Sequence, residues 1–394
     1  MKKPEFIAFS ACAMVLTALG IDVMLPALGE VRDHFKLGAE STTASLIITY
    51  FFMGQIGQLI FGILSDRLGR LAILKIGFPL YILGGLLAAF SPGLQWMLIG
   101  RFFAGVGAAA IFTTTIAGVR DRYEGDQMAG IMSHILTIFL LTPILAPFLG
   151  TFVLWLFDWR TLFFIPPAFA VLVFLWSLRL EESLPKASRS KFEVKALLQQ
   201  MGTVLSNRTF LQYTSVTTLL FIPFSSYIAS SERIVGEIYQ RPTLFPWIFA
   251  GMGLFMAFCT SMNSRLVARL GAIKSIRGLL LLYVTVGLVL FAITWYFEQL
   301  PPMPVFFIGI TLIMGINLAI EPNSSALALE PLGDTAGTAA SLYGTFFFFF
   351  GSVFGALISK QLVHGVMPLV LAYFLIGVVA MGLALLRRGR NEFQ

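Results

Sequence analysis

Ser65-Asp66-Arg67-Leu68-Gly69-Arg70 and Asn263-Ser264-Arg265-Leu266-Val267-Ala268-Arg269-Leu270-Gly271 are two basic, glycine-containing turns in a chain of 394 residues. Each is flanked by apolar stretches of about 20 residues, the length that crosses a bilayer as a helix. Twelve such spans can be marked off outward from these turns: Phe6 to Leu28, then 43–64, 73–90, 96–117, 128–154, 161–180, 209–231, 244–264, 276–297, 304–326, 335–358 and 367–386. The first turn lies between spans 2 and 3 and the second between spans 8 and 9, so the same feature recurs after six spans. A polar segment, 181–208, with Pro185 and a run of basic residues, separates an N-terminal half, 1–180, from a C-terminal half, 209–394. The expected fold is an all-α integral membrane protein, with 12 transmembrane helices in two pseudo-symmetric six-helix halves. Parallel repeats of this kind enclose a central site near the membrane midplane in secondary transporters.

Composition agrees with the spans. Hydrophobic residues make up 57% and charged residues only 12%, with a mean hydropathy of +0.86, where a soluble domain carries about 25% charged residues. Twelve spans with short loops consume the chain and leave no room for a soluble catalytic domain. Phe6 to Leu28 is too long for the apolar core of a signal peptide, carries Asp22 and leads into further spans, so it is expected to stay as span 1. Cys12 and Cys259 both fall in apolar segments, which indicates neither a disulfide framework nor a cysteine metal site.

The net charge of +7 is a topology signal. With the N-terminus inside, 20 of the 27 Lys and Arg residues fall in cytoplasmic segments, six in outer loops, and Arg101 within span 4. This is the positive-inside distribution. It places both termini in the cytoplasm and implies attraction to anionic inner-leaflet lipid rather than to nucleic acid.

Gly62-Ile63-Leu64-Ser65-Asp66-Arg67-Leu68-Gly69-Arg70 resembles the loop signature of the major facilitator superfamily (MFS), departing from it at Leu71. Leu98-Ile99-Gly100-Arg101-Phe102-Phe103-Ala104-Gly105-Val106-Gly107 resembles the superfamily's span 4 motif, in which an Arg is linked to proton coupling. Pro143-Ile144-Leu145-Ala146-Pro147-Phe148-Leu149-Gly150 is similar to its antiporter signature. Together with Gly20-Ile21-Asp22-Val23-Met24-Leu25-Pro26-Ala27-Leu28, Ser226-Tyr227-Ile228-Ala229-Ser230-Ser231 and Glu321-Pro322-Asn323-Ser324-Ser325, these resemble the Bcr/CflA-type multidrug efflux proteins among the drug:proton antiporters. The resemblance implies an inner-membrane exporter of bacteria, not an enzyme, that works by alternating access. It implies no cofactor beyond the proton gradient, and as partners a small-molecule substrate, protons and membrane lipids, with the chain acting as a monomer. It also implies that Asp66, Arg67, Gly69 and Arg70 latch the cytoplasmic side, with Pro143 and Pro147 completing the conformational gate. The alternative for the loop is a solvated turn, and for the prolines a permanently kinked helix.

The residues themselves point to a proton site. An Arg inside a membrane helix is costly and needs a partner. Arg101 and Asp22 each lie six residues from an outer span end, about 9 Å deep at 1.5 Å per residue, so a pair is expected. Snorkelling of Arg101 is the alternative. Glu321 is a possible second acid or a helix-end acid, and His134 a possible relay or a hydrogen-bonded residue between helices. Tyr50, Met53, Gln55, Gln58, Phe221, Phe224, Tyr227, Trp247 and Asn317 are expected to line a substrate cavity, because aromatic and Met surfaces adapt to varied apolar ligands. No nucleotide-binding loop, zinc-protease motif or nucleophile elbow is present, which disfavours an ATP-driven pump or an enzyme. The other reading on the same scaffold is a dedicated transporter of an endogenous metabolite, such as a siderophore or amino-acid derivative, running by import or uniport.

Overall fold

The computed structural model describes residues 1–38, 41–185, 194–298, 300–363 and 365–386. Lys186, Arg189, Lys191 and the terminal Arg387, Arg388 and Arg390 lie outside them. Among the described residues the structure is helical throughout, without strands. In chain order the helices are α1 (Lys3–Asp22), α2 (Leu28–His34), α3 (Leu46–Gly54), α4 (Gly57–Leu68), α5 (Arg70–Ala89), α6 (Leu94–Arg120), α7 (Gly125–Leu156), α8 (Arg160–Ser177), α9 (Val194–Ser206) and α10 (Arg208–Arg233). They continue as α11 (Phe245–Leu270), α12 (Ala272–Tyr296), α13 (Met303–Leu329), α14 (Ala336–Thr345), α15 (Gly351–Ser359) and α16 (Met367–Leu385).

Among the described residues eleven helical stretches are long and apolar enough to cross a membrane. The remaining expected span coincides with α10, whose 26 residues reach across at 1.5 Å each. Its hydropathy is low because Thr209, Thr214, Ser215, Thr217, Thr218, Ser225, Ser226, Ser230 and Ser231 are spread along it. Hydroxyls are tolerated there because they return their hydrogen bonds to the helix itself, as Thr217 Oγ1 does to the Tyr213 carbonyl.

Three spans are interrupted. Span 1 passes from α1 through a tight turn at Leu25–Ala27 into α2, because Pro26 has no N–H to continue the ladder. Span 2 loosens at Gln55 and Ile56 between α3 and α4, where bonds of the tighter i→i+3 type, such as Gln58 N–H to Gln55 O, replace the α pattern. Span 11 widens into a π turn at Phe346–Phe350, between α14 and α15. Broken helices at membrane depth are tolerated where protein covers them, and they recur at functional sites.

The two sequence turns adopt one conformation. Gly69, between α4 and α5, has φ 96° and ψ 160°, and Gly271, between α11 and α12, has φ 76° and ψ 159°. Only glycine enters this region without strain, which is why both turns carry one.

Two compact units are formed. The first comprises Met1–Glu193 with Ile228–Gly253, and the second Val194–Tyr227 with Leu254–Gln394. The C-terminal end of α10 and the start of α11 fall in the first unit.

Within each unit small residues allow backbones to meet, since lipid supplies no hydrophobic force between helices. In the first unit Gly54 of α3 lies on Gly105 of α6, and Gly77 and Gly84 of α5 face Gly107 and Gly100 of α6. In the second, Gly287 of α12 lies on Phe374 and Gly377 of α16 on Tyr283. Large side chains such as Leu83, Leu172 and Trp155 point outward, the pattern expected against lipid tails. A Cβ at Gly105 would strike the Phe51 carbonyl. Gly105→Val is therefore expected to force α3 from α6 and cost about 1–3 kcal/mol as an overpacked contact, seen as a lower thermal midpoint in detergent. An unchanged midpoint would mean that this crossing yields freely.

Candidate functional site

α1 ends at Asp22, where Pro26 breaks the helix and leaves its last carbonyls short of intrahelical donors. Arg101 of α6 supplies them. Its Nη2 donates to the Gly20 carbonyl at 2.6 Å and its Nε to the Ile47 carbonyl of α3 at 3.2 Å. The guanidinium also lies 4.5 Å over the Phe51 ring. A cation at a helix C-terminus is favoured by the macrodipole, and a planar fork satisfies two carbonyls at once. Tyr81 adds a hydrogen bond to the Leu16 carbonyl at 2.7 Å. Gly20 sits beneath the Tyr81 hydroxyl and the Phe51 ring, with no room for a side chain.

Asp22 follows directly and is 6% exposed. The equal-depth argument brings Arg101 to the last turn of α1, but among the described residues no ion pair joins it to Asp22. Backbone carbonyls take the guanidinium instead, because the interrupted helix presents them there. From the other side Gly150 of α7, three residues after Pro147, packs on the Val23 carbonyl and Pro26. Pro143 and Pro147 thus belong to the helix that closes over the break beside Asp22. α7 runs unbroken through both prolines.

The loop between α4 and α5 folds as a charged knot inside the first unit. Arg70 donates through Nη1 to Asp66 at 2.5 Å and to Ser65 Oγ at 2.7 Å, and through Nε and Nη2 to both carboxylate oxygens of Asp121, at 2.8 and 3.1 Å. The N-terminus of α5 is met by Glu182, whose carboxylate accepts the Arg70 and Leu71 backbone N–H groups at 2.9 and 3.3 Å. Ser183 donates to Asp121 at 2.8 Å. Asp66, Gly69 and Arg70 therefore come together, with Arg67 in the last turn of α4. Asp121, Glu182 and Ser183 are partners that the motif did not point to.

The expected cavity residues divide between the units. In the first, Tyr50 and Met53 are half-buried on α3. Gln55 is 1% exposed and spends its amide on the Gly105 carbonyl at 3.1 Å, while Gln58 donates to the Gln55 side chain at 3.1 Å. Both glutamines hold the loosened α3–α4 junction to α6. Trp247 is 68% exposed and meets the Phe148 ring edge-on.

In the second unit Phe221 stacks on Phe224, with ring centroids 5.6 Å apart, and also contacts Phe347 and Phe348 of the π turn. Tyr227 is buried. Asn317 donates to the Leu220 carbonyl at 3.1 Å, three residues before Pro223, which lies inside the continuous α10. Glu321 is half-buried and accepts from the Tyr343 hydroxyl at 3.1 Å. His134 is exposed, and its Nδ1 lies 2.7 Å from the Gly130 carbonyl of its own helix, so it bridges no neighbour through that bond. Among the described residues no cluster of His, Cys, Asp and Glu is arranged to hold a metal ion.

Comparison with known proteins agrees with this architecture. The sequence profile described as Major Facilitator Superfamily matches residues 10–356. A Bacillus subtilis protein named as the uncharacterized MFS-type transporter YdgK is 28% identical over 350 residues, covering 87% of this chain and 86% of its own. The Haemophilus influenzae bicyclomycin resistance protein homolog is 26% identical over 370 residues, 92% and 91% of the two chains. The Escherichia coli multidrug resistance protein MdtL is 26% identical over 356 residues, 86% and 84%. Among solved structures, a D-xylose–proton symporter superposes with a TM-score of 0.74 over 98% of both chains at 13% identity, and the human organic anion transporter MFSD10 with 0.71 over 98% and 100% at 16%. These two similarities concern the fold. The relatives' names agree with the resemblance to Bcr/CflA-type proteins seen in the motifs.

Replacing Arg101 by Lys keeps the charge but removes the planar fork. One ammonium on a flexible stem cannot span the Gly20 and Ile47 carbonyls as the guanidinium does, so a loss of about 1.5–3 kcal/mol, that of one charged hydrogen bond, is expected. The check is the denaturant midpoint of the purified protein. Wild-type stability in Arg101→Lys would mean that charge alone holds the turn.

Proposed function

Because the chain belongs to the Major Facilitator Superfamily and is accordingly a multi-pass membrane transporter rather than an enzyme, we propose that it is a proton-coupled exporter of amphipathic small molecules that works by alternating access. The single observation that carries this reading is Asp22. It is a buried carboxyl in an apolar span, at a helix break, with its neighbouring turn pinned by Arg101. Intramembrane acids are retained at a cost and mark ion paths. The names of the relatives, a bicyclomycin resistance homolog and multidrug resistance proteins, support outward transport of drugs.

In this reading Asp22 takes a proton from the outer side and releases it to the cytoplasm while substrate leaves. Arg101 is a positioning residue: it fixes the last turn of α1 so that the carboxyl is presented at one depth throughout the cycle. The knot of Asp66, Arg67, Gly69 and Arg70 is the cytoplasmic gate, and α7 with Pro143 and Pro147 is the element that moves past Asp22. Tyr50, Met53, Phe221, Phe224 and Tyr227 provide aromatic and thioether surface for ligands of varied shape, while Gln55, Gln58 and Asn317 act by holding helices. Glu321 with Tyr343 is a second polar point in the C-terminal half. The protein sits in the bacterial inner membrane with both termini cytoplasmic, as the basic residues direct.

Asp22→Asn keeps the shape of the neutral acid and removes the exchangeable proton. Substrate flux driven by an imposed pH gradient in proteoliposomes is expected to fall to the background of empty vesicles. Full flux in Asp22→Asn would remove Asp22 from the mechanism.

A further inference from the structure

Four charged side chains meet at the outer end of the first unit, and neither the coupling site nor the cytoplasmic knot includes them. Arg32, on α2, is paired with Glu237 in the π turn Ile234–Ile238 that follows α10. Arg233, the last residue of α10, lies 3.2 Å from the other Glu237 oxygen and donates to the Ser41 carbonyl at 3.0 Å. Both arginine side chains are about nine-tenths buried, and that of Glu237 is 26% exposed. The Glu232 carboxyl fits between two glycines, where a Cβ at Gly29 or Gly236 would come within 3.0 and 3.1 Å of its oxygen. A cavity of about 20 Å³ lies against this group, lined by Ser45, Ser230, Glu232 and both arginines.

Two arginines and two glutamates balance in charge, and the exposed Asp33 lies 3.9 Å from Arg32 Nε. Each arginine is buried at a cost that its carboxylate partners chiefly offset, and removing one partner of such a group leaves an uncompensated charge. A set of this kind is stable when assembled and stable when fully hydrated, but poor in between, which is the property of a two-position latch. The local backbone suits a joint that opens: α10 leaves its regular ladder for a π turn at these residues, and the break at Leu25–Ala27 lies just before α2.

We propose that Arg32, Glu232, Arg233 and Glu237 form an outer ionic latch that fastens the end of span 1 to the end of α10 and must part for the outer path to open. The proposal rests on the alternating-access reading and assigns it an outer gate. Gly29 and Gly236 are the seats that let the Glu232 carboxyl enter the latch.

The test is accessibility rather than transport. In full-length protein with Cys12→Ser and Cys259→Ser, a single reporter is introduced as Ser230→Cys, at the cavity wall beside the latch. Labelling by a membrane-impermeant maleimide is timed from the outer face of intact cells. With the latch intact labelling is expected to be slow. Arg32→Gln or Glu237→Gln is expected to speed it about tenfold, the shift that loss of one coupled buried charge pair produces. Arg32→Lys, and the exchange Arg32→Glu with Glu237→Arg, are expected to restore protection. Unchanged labelling in both neutral variants would overturn the latch, as would faster labelling that neither Lys nor the exchange reverses. The same latch dependence is expected with Asp22→Asn added, so a failure of the proton site and a failure of the latch give different results.

Discussion

A guanidinium placed in the apolar interior must find acceptors for its donors, and the structure around Arg101 is arranged by that requirement. The acceptors are the Gly20 and Ile47 carbonyls, and the ring beneath it is Phe51. Gly20 has to be glycine because Tyr81 and Phe51 occupy the space of a side chain. Gly54 and Gly105 have to be small so that α3 and α6 come close enough for Arg101 to reach Ile47. The break after Asp22 frees carbonyls for the arginine, and Gly150 of α7 seals it from the other side. Removing any of these would leave a charge buried without partners, which costs more than the hydrogen bonds themselves are worth.

The same logic operates at both ends of the first unit, where the arginine side chains are again buried. At one end Arg70 is shared by Asp66 and Asp121, and Glu182 caps α5, so the first residues after span 6 are tied to the turn between spans 2 and 3. On the outer side Arg32 and Arg233 share Glu237. Between them Asp22 is a buried carboxyl that no ion pair joins to an arginine among the described residues.

The fold was largely legible in the sequence because hydropathy and basic loops are strong signals, and Gly69 and Gly271 repeat one conformation as the two turns repeat one pattern. The polar surface of α10 is visible in its Ser and Thr content. α9 was hidden by the polar character of the linker, although Val194, Leu197, Leu198, Met201, Val204 and Leu205 carry helical spacing. The site was only partly legible. Depth matched Arg101 to the last turn of α1, but its true partners are backbone carbonyls, which leave no trace in a sequence. Gln55 and Asn317, read as cavity polar groups, donate to the Gly105 and Leu220 carbonyls, contacts that a sequence does not display. Arg32 and Arg233 counted only toward topology, since the Glu237 that joins them is distant in the chain from Arg32. The five consecutive phenylalanines at 346–350 form the π turn between α14 and α15, with Phe347 and Phe348 against Phe221.

The central claim is that Asp22 holds the proton that substrate displaces. Binding of two ligands that oppose each other is reciprocal, so saturating substrate must expel what substrate competes with. The direct measurement is proton release from purified protein in weakly buffered detergent solution, followed with a pH indicator, on addition of an amphipathic compound that the wild type transports. The account predicts release of about one proton per chain in the wild type and none in Asp22→Asn at a ligand concentration that still saturates it. Equal release from both proteins would contradict it.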